Sequence, residues 1–103
     1  MRVLFVDDEP NVLASIRRQL RKTIEVHTAE SGDEALRLLR ELGPVPLVVS
    51  DMRMPGMSGA ELLTRVRELY PDTVRMILSG QADLESTIAA VNDGHIFRFL
   101  TKP

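Results

Sequence analysis

Leu47–Gly59 reads LVVSDMRMPGMSG, an apolar run that ends on a carboxylate and then breaks. The three residues Leu47–Val49 have the character of a buried strand, and Pro55, Gly56 and Gly59 mark the loop that follows it. Beyond the loop, Leu62, Leu63, Val66 and Leu69 recur at helical spacing. Strand, loop and helix in this order predict one unit of a parallel sheet, because parallel neighbours need a long crossover between them. Asp51 stands at the strand exit. Taken alone, it is most simply a turn or cap aspartate.

The same alternation runs through the chain. Apolar runs occur at Val3–Val6, Ile24–Thr28, Leu47–Ser50, Val74–Leu78 and Ile96–Thr101. Between them lie helical stripes: Val12, Leu13, Ile16 and Leu20; Ala35, Leu38, Leu39 and Leu42; the stripe after the loop; and a weaker one at Leu84, Ile88 and Val91. Ser31 with Glu34, and Ser58 with Glu61, match the capping box at helix starts. Pro10 suits a first helical turn, and Gly43–Pro44 and Gly94 stand where helices should stop. The pattern predicts an α/β doubly wound domain with a five-stranded parallel sheet covered on both faces, its crossovers right-handed. Residues 1–103 have room for one domain. In this topology a helix would normally follow the fifth strand, so the final helix is expected to be absent from this chain and one sheet face to be partly uncovered.

Bulk properties exclude several classes. The net charge of −2 supplies no electrostatic reason to bind nucleic acid or an anionic membrane. No apolar run is long enough to span a bilayer, and MRVLFVDDEP turns acidic too early for a signal peptide. With Cys 0, thiolate chemistry and cysteine-based metal sites are absent, which fits a cytoplasmic setting.

Ligands of open α/β sheets bind at the carboxyl ends of the strands. Those ends carry Asp7, Asp8 and Glu9 after the first strand, Asp51 after the third, Ser79 and Gly80 after the fourth, and Thr101 and Lys102 after the fifth. Carboxylates gathered on one rim repel one another unless a cation compensates, and Mg²⁺ with its preference for oxygen ligands is the natural one. Lys102 and the Ser79 hydroxyl would then pair with phosphoryl oxygens, and Asp51 is placed to act as a nucleophile forming an acyl phosphate. Each residue also has a plainer reading, Asp7–Asp8 as complements of a helix dipole, Ser79 as a turn residue and Lys102 as a solvated end. It is their joint placement that favours the chemistry.

The motifs VLFVDDEP (Val3–Pro10), VVSDMRMPGMSG (Val48–Gly59), ILSG (Ile77–Gly80) and FLTKP (Phe99–Pro103) resemble the receiver, or phosphoacceptor, domain of two-component response regulators. That resemblance implies a flavodoxin-like sheet of strand order 2-1-3-4-5 and a phosphorylation-controlled signalling switch. It implies that Asp51 is the phosphorylation site and Asp7 and Asp8 the acidic pocket. Asp8, Asp51 and the backbone carbonyl of Arg53 would hold Mg²⁺ or Mn²⁺. Ser79 and Lys102 would bind the phosphoryl group, and Phe99 would be the aromatic switch. The partners implied are a sensor histidine kinase or phosphotransfer protein and an output domain outside this chain, in a phosphorelay. The uncovered sheet face adds self-association as a homodimer or domain swap. Arg53 and Gln81 occupy positions that tune dephosphorylation in the family. A cis bond is usual before the proline that corresponds to Pro103. Ala82–Pro103 resembles receivers joined to HD-GYP-type phosphodiesterases or to transcriptional activators.

Rival readings fit the residues less well. A haloacid-dehalogenase-type phosphatase needs a second aspartate two residues after its nucleophile, where this chain has Arg53 after Asp51 and Glu9 after Asp7. A flavodoxin-like cofactor binder needs a phosphate loop where Asp7–Glu9 would repel phosphate. A receiver-fold interaction module without phosphorylation is countered by Asp8, Asp51 and Lys102. The expected role is therefore that of a switch and not of an enzyme on an outside substrate. Met52, Met54 and Met57 read as packing over the loop, and Arg17, Arg18, Arg21 and Lys22 as a solvated helix face. His27 and His95 lack the carboxylate or second histidine of a metal or acid–base pair at suitable spacing and are assigned no role.

Overall fold

The computed structural model describes residues 1–78 in full, with the backbone of Ser79 and of Arg98–Thr101. The elements are β1 (Arg2–Val6), α1 (Pro10–Leu20), β2 (Glu25–Ala29), α2 (Gly32–Leu42), β3 (Leu47–Asp51), α3 (Gly59–Leu69), β4 (Val74–Ser79) and β5 (Arg98–Thr101). They form a five-stranded parallel sheet of order β2-β1-β3-β4-β5. The expected helix at Leu84, Ile88 and Val91 lies outside the described residues, as do Gly80, Gln81, Gly94, His95, Lys102 and Pro103.

Strand boundaries shift by a residue for local reasons. Ile24 is not in β2, because its N–H and that of Thr23 both donate to the carbonyl of Leu20 and close the end of α1. Asp51 is the last residue of β3, in register with Leu78 of β4, and so belongs to the rigid sheet. Both predicted N-caps form: Ser31 Oγ accepts from the Glu34 N–H at 3.1 Å, and Ser58 Oγ from the Glu61 N–H at 3.2 Å. The reciprocal half of each box differs from the expectation. Glu34 accepts from the Glu30 N–H, one residue before the cap, and the Ser58 hydroxyl itself donates to Glu61. Pro10 opens α1 without a side-chain cap. Gly43 ends α2 at φ +79°, a conformation that glycine adopts freely, and Arg2 donates to the orphan carbonyl of Leu42 at 3.1 Å.

Apolar side chains pack on both faces of the sheet. On one face α2 and α3 cover Leu4, Val6, Val48 and Ile77 with Leu39, Leu62, Leu63 and Val66, all within 2 % of full burial. On the other, Leu13 of α1, with Ile16 and Leu20, packs on Val3, Phe5, Val26 and Val49. Towards β4 this second face is only partly covered, for Leu47, Met76 and Leu78 are half-buried and Val74 is exposed. Each fully buried leucine or valine contributes about 1.5–3 kcal/mol. The result is a sheet whose β1 and β3 ends are fixed by their neighbours on either side. Arg75 of β4 is also buried; burial, and secondarily the charge of Arg67, pushes its guanidinium pKa below the usual value, and it donates to the Thr73 carbonyl.

Candidate functional site

β1 and β3 are adjacent parallel strands, so their carboxyl ends emerge side by side. Val6 pairs with Ser50, which leaves Asp7 just past β1 beside Asp51 at the end of β3. The topology thus brings together residues more than forty positions apart. Carboxylate oxygens of Asp7, Asp8 and Asp51 all lie within 4.8 Å of one another. Asp7 and Asp51 are buried at 3 % and 7 % exposure, while Asp8 is the most accessible of the three. The site is a buried floor with one accessible wall.

Local bonds hold these groups. The Asp7 N–H donates to the Ala29 carbonyl of β2, and Asp7 Oδ1 accepts from the Glu9 N–H at 2.9 Å. Asp7 therefore sits at the entry to α1, where the plainer reading expected an aspartate that complements the helix dipole. Its charge faces the positive end of that helix. Asp51 lines a narrow recess with Phe5, Leu13, Val49 and Leu78. Its backbone carbonyl accepts from Ser50 Oγ at 2.9 Å. The Gly59 N–H donates to the Met52 carbonyl at 2.8 Å and closes the loop between them. Met52 and Met54 are buried and Met57 packs against the α2–α3 core, as the packing reading of the methionines expected.

Three carboxylates with oxygens this close are a set of hard donors suited to a small divalent cation. The donor chemistry, oxygen only and strongly anionic, fits Mg²⁺ or Mn²⁺. Among the expected site residues, Asp7, Asp8 and Asp51 are brought together. Ser79 and Phe99 fall on neighbouring strands, where Ser79 pairs with Thr101 and Ile77 with Phe99, so the two strand ends sit together. Their side chains, and Lys102, lie outside what is described. Arg53 follows β3 in the loop that leads to α3.

Two features escaped the sequence reading. The sequence marks Ser50 only as a strand end, yet its hydroxyl binds the backbone of Asp51; a polar residue inside VVSD is the available signal. His27, assigned no role, lies 2.6 Å from the Glu25 carboxylate, for residues two apart on a strand share a face. The bond to His27 lowers the Glu25 pKa from its ordinary 4.5.

Comparison with known proteins points the same way. The model of the response regulator receiver domain family matches residues 3–103. The chain is 44% identical over 101 residues to the hydrogenase transcriptional regulatory protein HoxA of Cupriavidus necator, covering 98% of this chain and 21% of that protein. The chain thus spans about a fifth of the length of that relative. A response regulator receiver domain protein from Clostridium thermocellum superimposes with a TM-score of 0.90 at 36% identity, over 99% of this chain and 82% of that one. The response regulator TrrA of Thermotoga maritima, solved in complex with Mg(2+)-BeF, does so with a TM-score of 0.85 at 31% identity, over 99% and 86%.

Proposed function

The chain belongs to the response regulator receiver domain family, whose members are phosphoacceptor signalling switches, and we propose that Asp51 is the residue that takes the phosphoryl group here. The observation that carries this reading is the convergence of Asp7, Asp8 and Asp51 within 4.8 Å at the carboxyl end of the sheet. Residues 1–103 act as one domain, working in the cytoplasm.

Asp51 is held at the end of a strand paired on both sides, so its carboxylate starts from a fixed position. One of its oxygens forms the new bond to phosphorus while the P–N bond of a phosphohistidine on a sensor kinase or phosphotransfer protein breaks and the imidazole leaves. Asp8 and Asp51, with the Arg53 carbonyl, are the residues that would hold Mg²⁺ or Mn²⁺, with Asp7 completing the acidic pocket. When bound, the ion supplies the positive charge that phosphoryl transfer among carboxylates requires. Ser79 and Lys102 are proposed to receive the phosphoryl oxygens, and Phe99 to carry the change to the surface. The product places about −1.5 to −2 charges where a single carboxylate stood, which biases the arrangement of the surrounding segments. Water then hydrolyses the acyl phosphate and resets the switch. The domain supports only this chemistry on itself. The relative's name, a transcriptional regulatory protein, suggests that the output regulated is transcription, through a domain beyond this chain.

The test is intact mass after incubation with Mg²⁺ and acetyl phosphate. A single phosphoryl adduct that requires Mg²⁺ and is absent in Asp51→Asn is the expected result. A folded protein that takes up no phosphoryl group would leave the fold as an interaction module.

A further inference from the structure

We infer that Ser50 is a positioning residue for Asp51, an inference that rests on the role proposed above for Asp51. Ser50 is completely buried, and its neighbours in register are Val6 of β1 and Ile77 of β4, both apolar and buried to within 2 %. A hydroxyl in such surroundings is costly unless it is bonded, and alanine or valine would fill the place without that penalty. The hydroxyl donates to the backbone carbonyl of Asp51 at 2.9 Å.

That carbonyl is also confined from the other direction. A Cβ on Gly59 would sit 2.9 Å from the carbonyl carbon of Asp51 and 3.0 Å from the Met52 Cα, so α3 closes directly on this peptide. The Gly59 N–H binds the next carbonyl along, that of Met52, at 2.8 Å. The Asp51–Met52 peptide is thus held by Ser50 from within the sheet and by Gly59 from the start of α3.

Alternation along β3 sends the Asp51 side chain to the face opposite Ser50, into the recess beside Phe5 and Leu78. Ser50 therefore touches no reacting group. It acts by fixing the backbone from which the carboxylate projects and from which the loop bearing Arg53 departs. In-line transfer is sensitive to small displacements of the attacking oxygen, so a looser Asp51 backbone slows it.

Ser50→Ala removes the hydroxyl bond and little volume; Ser50→Cys keeps the volume with a weak donor and serves if alanine disturbs folding; Ser50→Thr restores the hydroxyl. Three readouts per folded molecule are compared with the unaltered protein: phosphorylation rate from acetyl phosphate at saturating Mg²⁺, the Mg²⁺ dissociation constant by calorimetry, and amide exchange of Gly59 in metal-free protein. The loss of one hydrogen bond should slow phosphorylation and weaken Mg²⁺ by about three- to tenfold in Ser50→Ala, with faster Gly59 exchange. Ser50→Thr should recover most of both. An unaltered protein that is phosphorylated, alongside Ser50→Ala and Ser50→Cys variants that match it in rate, Mg²⁺ affinity and exchange, would overturn the positioning role and leave the switch intact. An unaltered protein that takes no phosphoryl group would instead refute the proposed function.

Discussion

The backbone carbonyl of Asp51 occupies the space into which a Cβ on Gly59 would project. The first residue of α3 and the last residue of β3 are therefore packed backbone to backbone, and the packing depends on the absence of one side-chain atom.

Gly59→Ala must push α3 away from the strand, since the opposing atoms are main chain and cannot rotate aside. Overpacking of this kind costs about 1–3 kcal/mol, and it should also break the Gly59–Met52 hydrogen bond. Gly32→Ala is the control. Its Cβ would meet chiefly the Met57 sulfur and side-chain carbons, which can move, and alanine recovers some helix stability. Urea denaturation should find Gly32→Ala within about 1 kcal/mol of the parent and Gly59→Ala clearly below it. Equal losses in the two would contradict the close approach.

The acidic cluster should trade stability against affinity. Without metal, Asp7, Asp8 and Asp51 repel, so Asp8→Asn or Asp51→Asn should stabilise the metal-free protein by on the order of 1 kcal/mol. The same Asp8→Asn change should weaken Mg²⁺ at least about tenfold, because an opposite charge is removed from its surroundings. Thermal melts with EDTA and with excess Mg²⁺ check both signs. Stabilisation in both conditions would speak against metal binding at this cluster.

The Glu25–His27 bond makes an acid-side prediction. Glu25 has its pKa lowered by that bond, with Arg2 and the N-terminus adding smaller effects. A lowered folded-state pKa contributes stability above the ordinary value of 4.5, and the contribution is lost as pH falls through the lowered value. Glu25→Gln should therefore show a shallower loss of melting temperature than the parent as pH falls below 4.5. The side chain is exposed, so the difference is small, and salt should shrink it. Identical profiles below pH 4.5 would mean the bond is not maintained in solution.

Core and surface leucines of the same helix should separate widely. Leu63 is fully buried against the sheet, and Leu63→Ala should cost about 2–5 kcal/mol. Leu69, at the end of α3, is 61% exposed, and Leu69→Ala should stay within about 0.5 kcal/mol. Chemical denaturation midpoints at constant slope measure both.

The sequence reading of β1 to β4 and α1 to α3 came close to the structure because their period is strong and their ends carry chemistry that acts locally. Ser31 and Ser58 bond backbone donors three residues away, and such contacts are legible in order along the chain. The errors were of one kind. The capping boxes were completed by Glu30 and by the Ser58 hydroxyl, and Ile24 was claimed by the turn of Leu20, because several nearby donors and acceptors compete and geometry selects among them. His27 gained a partner from strand alternation that the sequence reading did not apply.

The sequence by itself determined the alternation of strands and helices, the residues at the strand exits and, through four motifs, the family. Those properties are written in neighbours and in periodicity. Only the tertiary structure decided that Asp7, Asp8 and Asp51 stand within 4.8 Å, that two of them are buried, and that Ser50 and Gly59 grip the peptide after Asp51. These are distances across strands and between a sheet and a helix. They follow from strand order, register and the closeness of packing, and no short stretch of chain contains them.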